Sequence, residues 1–329
     1  MAKISVADNN NGKFTSNLME HWRKKGHEVR FEMGASEYLA QWCDLYYIDF
    51  WDRNINYLYQ LYNGAEDVSR TPDWDNNKKP RIVCRALDWE IWVGNTRNQN
   101  VVDWIDKAIC IAPHIETEMR KYANFGNKLK LIRPGVNLDK FTLKQKKTDG
   151  FQVGMVLGDM WWPKNHMAGL DIFTTLYNDD NRWRLHIRGQ HEGGTDYWKI
   201  MYEHYLDSRG IRDVVTLYPQ VEDMNLWYEN IDILLHPSMK EAFCYAVGEA
   251  MAKGIKVICN NFYGAENIWP KEILYNTHDE AIIMFTPLPP PLGYLPSGKP
   301  ISSFNGREYI EKNYSLERQL KETNEWLAL

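Results

Sequence analysis

The feature that most constrains the fold is an alternation of short apolar runs with helical stretches, which occurs twice along the chain. Short apolar strands separated by helices predict parallel sheets that are covered on both faces. In the first half we expect strands at residues 3–7, 28–31, 45–48, 81–84, 108–111 and 130–132. In the second half we expect strands at residues 152–157, 183–187, 214–217, 231–235 and 256–259.

The domain boundary is expected at a lysine-rich stretch, residues 144–150, which lacks apolar periodicity and is typical of a linker. A chain of 329 residues exceeds what one core usually supports. We therefore expect an α/β fold with two Rossmann-like, doubly wound parallel-sheet domains facing a cleft, at residues 1–146 and 147–314. A helix at about 315–329 is expected to pack back on the first domain. Such sheets bind ligands beyond the C-terminal ends of their strands.

Composition excludes several classes of protein. The hydrophobic fraction of 44% and the charged fraction of 25% are those of a globular chain. With no apolar run near the roughly 18 residues of a membrane span and no leader-like apolar start, we expect a cytoplasmic protein. The net charge of -5 disfavours nucleic acid as the principal partner, although the first half is mildly basic.

The cysteines and histidines give no sign of a disulfide framework or a metal site. The five cysteines are odd in number and are never closely spaced, and no H-E-x-x-H sequence occurs. We therefore expect buried cysteines, no metal and no cofactor. The proline-rich segment at 285–300 is expected to be an extended connector that precedes the last helix.

The most informative stretch runs from residue 236 to residue 254, where a buried strand, a loop and a helix follow one another. Glu241 lies just before the helix and Glu249 lies within it. The free N–H groups at the helix start would bind a diphosphate, and the two carboxylates would accept hydrogen bonds from hydroxyls on either side. A nucleotide-sugar has this shape, although paired glutamates at a helix start also occur as solvated, dipole-stabilising residues.

This stretch, with residues 255–259 and 263–266, closely resembles the E-x7-E region of the retaining glycosyltransferase family 4, which has the GT-B fold. Further agreement comes from residues 131–141, which resemble the interdomain crossing of that family, and from residues 156–158 with Lys164 and Asn165. The opening strand and turn, with residues 25–29, resemble its N-terminal unit. The resemblance implies an N-terminal acceptor-side domain and a C-terminal donor-binding domain.

The resemblance also implies roles for individual residues. Glu241 would bind the donor-sugar hydroxyls, Glu249 the ribose, and Lys164 would neutralise the diphosphate. The other donor-binding candidates that it implies are Gly12, Lys13, Asn165, Phe243, Cys244, Tyr245 and Ala246. The catalytic candidates are Glu241, Lys164 and Asp88.

The sequence departs from the pattern of the family in three places. The twin-glycine turn often seen in the first loop of the family is Asn11-Gly12 here. Asp159 occupies a position where many members carry an arginine, which removes one phosphate partner. The histidine that often follows an N-domain strand is missing, and Arg85, Asp88 or Glu90 would take its place near the acceptor; of these we assign Asp88 to the site. His114 is expected to be a loop residue and not a catalyst.

The function implied is a retaining, metal-independent hexosyl- or pentosyltransferase that uses a nucleotide-diphosphate-sugar. UDP is favoured, with GDP or ADP as alternatives, and the acceptor is a hydroxyl of a glycan, a lipid or a small molecule. One alternative is a DNA-modifying glycosyltransferase acting on hydroxylated bases, which the aromatic residues Trp22, Trp42, Trp51 and Trp92 suggest. A second is a non-catalytic GT-B protein that binds a nucleotide-sugar or a glycan.

Overall fold

The computed structural model describes residues 1–64, 75, 77–159, 162–190, 196–218, 223–285 and 304–329. The chain divides into two units: Met1–Pro134 together with Glu317–Leu329, and Gly135–Leu316. Most of the segment expected to be a proline-rich connector, residues 286–300, lies outside the described residues.

The first unit is built on a parallel sheet of six strands in the order β2-β1-β3-β4-β5-β6. All six correspond to expected strands. β1 and β3 are almost fully buried and are read directly from apolar runs, whereas β2 is only partly buried and is read from its alternation of apolar and charged residues. Their bounds are β1 (Lys3–Ala7), β2 (Glu28–Glu32), β3 (Leu45–Asp49), β4 (Arg81–Ala86), β5 (Lys107–Cys110) and β6 (Leu129–Leu131).

Helices of the first unit pack against this sheet, and the core lies between the two. Its helices that precede residue 135 are α1 (Ser16–Lys24), α2 (Glu37–Trp42), α3 (Arg53–Asn63), α4 (Trp89–Trp92), α5 (Gln99–Trp104) and α6 (Pro113–Tyr122). Trp22 of α1 is fully buried and packs edge-on against Tyr47 of β3. Aromatic packing of this kind adds to the burial of apolar surface that stabilises the unit.

The second unit has its own parallel six-stranded sheet, in the order β12-β11-β10-β7-β8-β9. From β7 the chain adds β8 and β9 on one side of the sheet, and it then returns to add β10, β11 and β12 on the other side. The boundary between β7 and β10 is therefore the switch point of a doubly wound fold. The two-residue strand β12 was not expected from the sequence because it is too short to show a pattern. The strands are β7 (Gln152–Asp159), β8 (Arg184–Gln190), β9 (Val215–Tyr218), β10 (Ile233–His236), β11 (Lys256–Asn260) and β12 (Leu274–Tyr275).

Helices pack on both faces of the second sheet. They are α7 (His166–Asp179), α8 (Asp196–Ser208), α9 (Met224–Tyr228), α10 (Tyr245–Ala252), α11 (His278–Phe285) and α12 (Gly306–Asn313). Met155, Leu185 and Phe173 belong to the core beneath α7. Gly169 lets α7 lie close to the sheet, since a Cβ at this position would be 2.5 Å from Sδ of Met155.

The boundary between the units falls earlier than the sequence suggested. Residues 144–150, expected to be the linker, lie within the second unit. Lys144 Nζ donates to Asp232 at 2.9 Å, and the backbone N–H groups of Gln145 and Lys146 donate to the carboxylate of Glu229 at 2.9 and 2.8 Å. A lysine-rich stretch without apolar periodicity is therefore fixed here by polar contacts, which a hydrophobic pattern does not reveal.

The chain leaves the second unit close to where it enters. Val136 N donates to Tyr314 O at 2.7 Å, and Leu316 N donates to Val136 O at 3.1 Å. The last helix, α13 (Leu316–Leu327), then belongs almost entirely to the first unit. Trp22 Nε1 donates to Oδ1 of Asn324 at 2.9 Å, and Arg81 donates to the carbonyl of Leu327.

Within the described part of the chain, no helix combines the length and the apolar composition that crossing a bilayer requires.

Candidate functional site

The topology of the second sheet places the ends of β7 and β10 side by side. These two strands pair directly, with Ile233 opposite Val153 and Leu234 opposite Gly154. The segment after β7 carries Lys164 in a short 3-10 turn, Trp162–Lys164, and the loop after β10 carries Glu241. The two loops therefore meet at the switch point, where doubly wound sheets bind their ligands.

Backbone contacts fix the loop that follows β10. Met239 N donates to Pro163 O at 2.8 Å, and the hydroxyl of Ser238 donates to the same carbonyl at 3.0 Å. Asn260 Nδ2 donates to Ser238 O at 3.0 Å, and Asn165 Nδ2 donates to Pro237 O at 3.3 Å. Asn165 has a positive φ of 50°, which asparagine tolerates better than most residues. Its side chain thus has a structural contact within the predicted donor site.

Lys164 and Glu241 form an ion pair at the centre of this arrangement. Lys164 Nζ lies 2.6 Å from Oε1 of Glu241, and both side chains are mostly buried. His236, at the end of β10, lies on the other side of Glu241, with its Nε2 3.3 Å from the same oxygen. Burial opposes ionisation of Glu241, but the charges of Lys164 and His236 lower its pKa to about 2. Glu241 is therefore a carboxylate at neutral pH, held between two cationic side chains.

His236 was not recognised from the sequence as part of the site. Burial alone would lower the pKa of His236, but the neighbouring Cys244 and Glu241 side chains raise it to about 9. The imidazole is thus protonated at neutral pH. Its position at the end of an apolar strand, five residues before Glu241, was the only available signal, and a lone histidine at a strand end is more often structural.

The start of α10 is formed by residues that were predicted to bind through their backbones. Cys244 is the N-cap residue of α10 and has a positive φ of 67°. Its side chain accepts no hydrogen bond from the N–H groups of the first turn. The first turn of a helix has N–H groups that lack intrahelical acceptors. Tyr245 and Ala246 lie in that turn. The ring of Phe243 is buried against Trp269 and Tyr314, so its side chain is not available to a ligand.

Glu249 lies one turn further along α10 and is positioned by a residue that the sequence did not reveal. The buried Tyr228 of α9 donates its hydroxyl towards Oε2 of Glu249 at 3.0 Å and towards the carbonyl of Ala246 at 3.2 Å. Burial raises the pKa of Tyr228 well above its usual value, so this hydroxyl remains a donor. One carboxylate oxygen of Glu249 is thereby oriented by the protein.

In the first unit, Gly12 and Lys13 lie in the turn between β1 and α1. Asn11 and Gly12 both have positive φ, 54° and 73°, and Asn10 N donates to Oδ1 of Asp8 at 2.6 Å. The ammonium group of Lys13 lies 5.3 Å from the ring centre of Phe14. These residues form a tight turn of the kind that the sequence predicted, and their contact with a donor remains a prediction.

The candidates that follow β4 have distinct environments. Arg85 is buried and forms a two-pronged ion pair with Asp49, at 2.5 and 2.9 Å. Glu90 is buried, and its carboxylate accepts from the N–H groups of Leu87 and Asp88. The side chains of Arg85 and Glu90 are therefore held in place by contacts within the first unit. Asp88 is only half-buried and accepts from Trp92 Nε1 at 3.2 Å.

Two other residues singled out in the sequence can be placed. His114 was expected to be a loop residue, and this expectation is wrong. It lies buried in the first turn of α6, which starts at Pro113. Proline favours the first position of a helix, so the Ala112-Pro113 sequence was a helix start and not a loop. Asp159 is the last residue of β7, and its side chain lies outside the described part of the chain.

The structure brings together side chains of kinds that can bind metals. The thiol of Cys244, the imidazole of His236 and the carboxylate of Glu241 have atoms within 4.8 Å of one another. A cation here would have to displace the contacts that His236 and Lys164 make with Glu241. The chain also contains an Asp-x-Asp triplet at residues 73–75, of which only Asp75 lies in the described part.

One protein-family model matches a segment of the second unit. Residues 152–283 match the family model described as "Glycosyl transferases group 1". This range begins with β7, contains the Lys164–Glu241 pair and α10, and ends within α11. The candidates of the second unit therefore lie inside the matched segment, whereas Gly12, Lys13 and Asp88 of the first unit lie outside it.

Two curated relatives match about half of the chain. "Protein CapJ" of Staphylococcus aureus is 23% identical over 159 residues, which is 48% of this chain and 40% of the relative. "D-inositol 3-phosphate glycosyltransferase" of Paenarthrobacter aurescens (strain TC1) is 24% identical over 184 residues, 50% of this chain and 43% of the relative. The aligned region thus spans about two fifths of the length of each relative.

Solved structures match the whole chain. The structure of HepE from Anabaena in complex with UDP and glucose has a TM-score of 0.75 and 14% sequence identity, and the match covers 100% of both chains. Sucrose-phosphate synthase from Thermosynechococcus elongatus has a TM-score of 0.73 and 13% identity, covering 100% of this chain and 98% of the other. The fold is accordingly the α/β fold of the GT-B type, as expected. The match to the glycosyltransferase group 1 model is thus confined to residues 152–283, whereas the likeness in fold extends over the whole chain.

Proposed function

We propose that this chain is a retaining, metal-independent glycosyltransferase that moves a sugar from a nucleotide-diphosphate-sugar to a hydroxyl acceptor. The observation that carries the proposal is the mostly buried Lys164–Glu241 ion pair beside the N-terminus of α10, at the switch point of the second sheet. Support also comes from the family match over residues 152–283. UDP is the favoured nucleotide, in keeping with the UDP bound to the structurally similar HepE.

The diphosphate would bind at the start of α10. The N–H groups of the first turn carry the positive end of the helix dipole, and Lys164 adds a full positive charge. Cleavage of the donor builds negative charge on the departing diphosphate. Fixed dipoles and a mostly buried cation stabilise such charge without reorganising, which is the most effective form of electrostatic catalysis.

The two glutamates would bind the polar groups on either side of the diphosphate. Glu241 is ionised and can only accept hydrogen bonds, so it suits hydroxyls of the donor sugar. Glu249 has one oxygen oriented by Tyr228 and suits the ribose hydroxyls. In this scheme an oxygen of the donor phosphate accepts the proton of the acceptor hydroxyl, so the protein supplies no nucleophile.

The DNA-modifying alternative loses part of its basis. Of the four tryptophans that suggested it, Trp22 and Trp51 are fully buried in the first unit and cannot stack on bases. We therefore propose a glycan, a lipid or a small molecule as the acceptor. The non-catalytic alternative differs from the proposed enzyme only in lacking turnover, so a measurement of turnover distinguishes the two.

The test is incubation of the purified chain with UDP-, GDP- and ADP-sugars in EDTA, followed by proton NMR of the anomeric signals. We expect slow hydrolysis or transfer from one nucleotide class, with the anomeric configuration of the donor retained in the first product. Glu241→Gln should abolish it. Inversion would contradict the retaining mechanism, and absence of turnover with any donor that binds would favour the non-catalytic alternative.

A further inference from the structure

Cys244 differs from the other cysteines of the chain. All five are free thiols; Cys43, Cys84, Cys110 and Cys259 are buried, whereas Cys244 is partly exposed. Burial raises the pKa of each of those four thiols. Only Cys244 thus combines solvent access with a position in the proposed donor site.

The thiol of Cys244 has the imidazolium of His236 beside it, a cation that favours negative charge on the sulfur. Its Sγ lies 3.6 Å from Nδ1 of His236, within the range of a hydrogen bond that involves sulfur. The other ring nitrogen, Nε2, lies 3.3 Å from Oε1 of Glu241. This contact is an ion pair, since Nε2 makes no well-aligned hydrogen bond to any residue that the structure describes. His236 is 1% exposed, so its ring has a fixed environment. Thiol, imidazole and carboxylate follow one another in the order found in sites that activate a nucleophile.

The backbone adds a second activating influence. Cys244 is the N-cap residue of the eight-residue helix α10, and the helix dipole favours a negative charge at this position. Its φ of 67° lies in the region that favours glycine, so a side chain here is strained. The strained backbone directs a sulfur atom to the start of the helix, where the diphosphate would bind.

We propose that Cys244 is a reactive thiol and a covalent modification site for small electrophiles and peroxides, and that its modification blocks the donor site. The second half of this proposal depends on the proposed function, whereas the first half does not. An added group on Sγ would occupy the space above the first turn of α10.

Cys244 would react with iodoacetamide and with hydrogen peroxide by nucleophilic attack of its sulfur. The thiol loses its proton to water, and the imidazolium of His236, held by the carboxylate of Glu241, stabilises the negative charge left on Sγ. With iodoacetamide, a sulfur–carbon bond forms, the carbon–iodine bond breaks and iodide leaves. With hydrogen peroxide, a sulfur–oxygen bond forms, the oxygen–oxygen bond breaks, and the leaving hydroxide takes the proton of His236 to become water; the product is a sulfenic acid.

The experiment measures the rate of labelling of each cysteine by iodoacetamide at pH 7, with EDTA present, by peptide mass spectrometry. In the native wild type we expect Cys244 to react at least about tenfold faster than the other four cysteines. His236→Asn should slow Cys244 by about tenfold. His186→Gln is the matched control, because His186 is a half-buried histidine of the same sheet that contacts Tyr218 and Gln152 and no cysteine. It should leave the rate unchanged.

The wild-type comparison remains decisive if His236→Asn fails to fold. Labelling of Cys244 no faster than that of the buried cysteines, or unchanged labelling in folded His236→Asn, would overturn the activated thiol. Saturating UDP should slow labelling of Cys244, and prior labelling should abolish UDP binding. Fast labelling that UDP does not affect would overturn the link to the donor site and leave the reactive thiol standing.

Discussion

Lys164 and Glu241 are 77 residues apart in the sequence, yet their charged atoms lie 2.6 Å apart. Strand order brings them together, because β7 and β10 are neighbours in the sheet and the loops after them share one edge. The same carboxylate oxygen of Glu241 also faces His236. The site is therefore a chain of charges, from Lys164 through Glu241 to His236, that ends at Cys244.

Removal of the Lys164 ammonium group should reduce catalysis much more than stability. We predict that Lys164→Gln lowers kcat by about 10²–10³-fold, the usual cost of losing one group that stabilises transition-state charge. Lys271→Gln, an exposed lysine of the same unit, should leave kcat unchanged. Steady-state kinetics with the donor identified by NMR measure both. A loss of less than about threefold in Lys164→Gln would mean that Lys164 does not contact the departing diphosphate.

The protonated state of His236 should make stability depend on pH. Its pKa is raised to about 9 in the folded chain, above its usual value, so its contribution is complete below about pH 6.5 and is lost as the pH rises towards 9. Glu241 has its pKa lowered to about 2, so its contribution persists down to about pH 4.5 and is lost below. The stability difference between wild type and His236→Gln should therefore be greatest between about pH 5 and 6.5.

Urea unfolding at pH values from 5 to 9.5 measures this difference, with His186→Gln as the matched variant. A difference for His236→Gln that stays constant between pH 6.5 and 9 would contradict a protonated His236.

The Asp49–Arg85 pair should contribute to folding rather than to acceptor binding. Because both side chains are buried, Arg85→Met leaves an uncompensated carboxylate and should lower the free energy of unfolding by about 3–5 kcal/mol. The double variant Asp49→Leu/Arg85→Met should recover much of that loss. Arg97→Met, at an exposed arginine of the first unit, should change stability by less than about 0.5 kcal/mol. A folded Arg85→Met of unchanged stability but reduced activity would assign Arg85 to the acceptor site instead.

Tyr228 should act through Glu249. Tyr228→Phe removes one buried hydroxyl and its two contacts, which should lower stability by about 1 kcal/mol and weaken nucleotide binding several-fold. Combined with Glu249→Ala it should cause no further loss of affinity, because the hydroxyl then has no carboxylate to orient. Tyr177→Phe in α7 is the control. Additive losses of affinity in the double variant would show that Tyr228 affects binding independently.

Much of the fold could be predicted from the sequence, because buried parallel strands appear as apolar runs. The runs at 3–7 and 152–157 coincide with β1 and most of β7, and the helix expected at 245–253 coincides with α10. The linker could not be predicted in this way. Residues 144–150 are fixed by Asp232 and Glu229, and polar contacts between distant residues leave no periodic signal.

The site was predicted only where residues follow one another along the chain. Glu241, Cys244 and Glu249 belong to one contiguous stretch, and the helix start that they flank was expected. His236 and Tyr228 were missed because their roles arise from burial and from contacts with Glu241 and Glu249. No feature of the sequence showed that the ring of His236 would face both Glu241 and Cys244.

The most direct test of the account is nucleotide binding by the wild type and Glu249→Ala, measured by thermal unfolding with UDP, GDP, ADP and their sugars. Glu203→Ala, a half-buried carboxylate of α8, is the matched control. Ligand at a hundredfold over Kd adds about 2.7 kcal/mol, which raises Tm by a few degrees. We predict such a rise with UDP or UDP-sugars in the wild type and Glu203→Ala, and none in Glu249→Ala. No rise with any nucleotide, or an equal rise in Glu249→Ala, would contradict a nucleotide-sugar site at the start of α10.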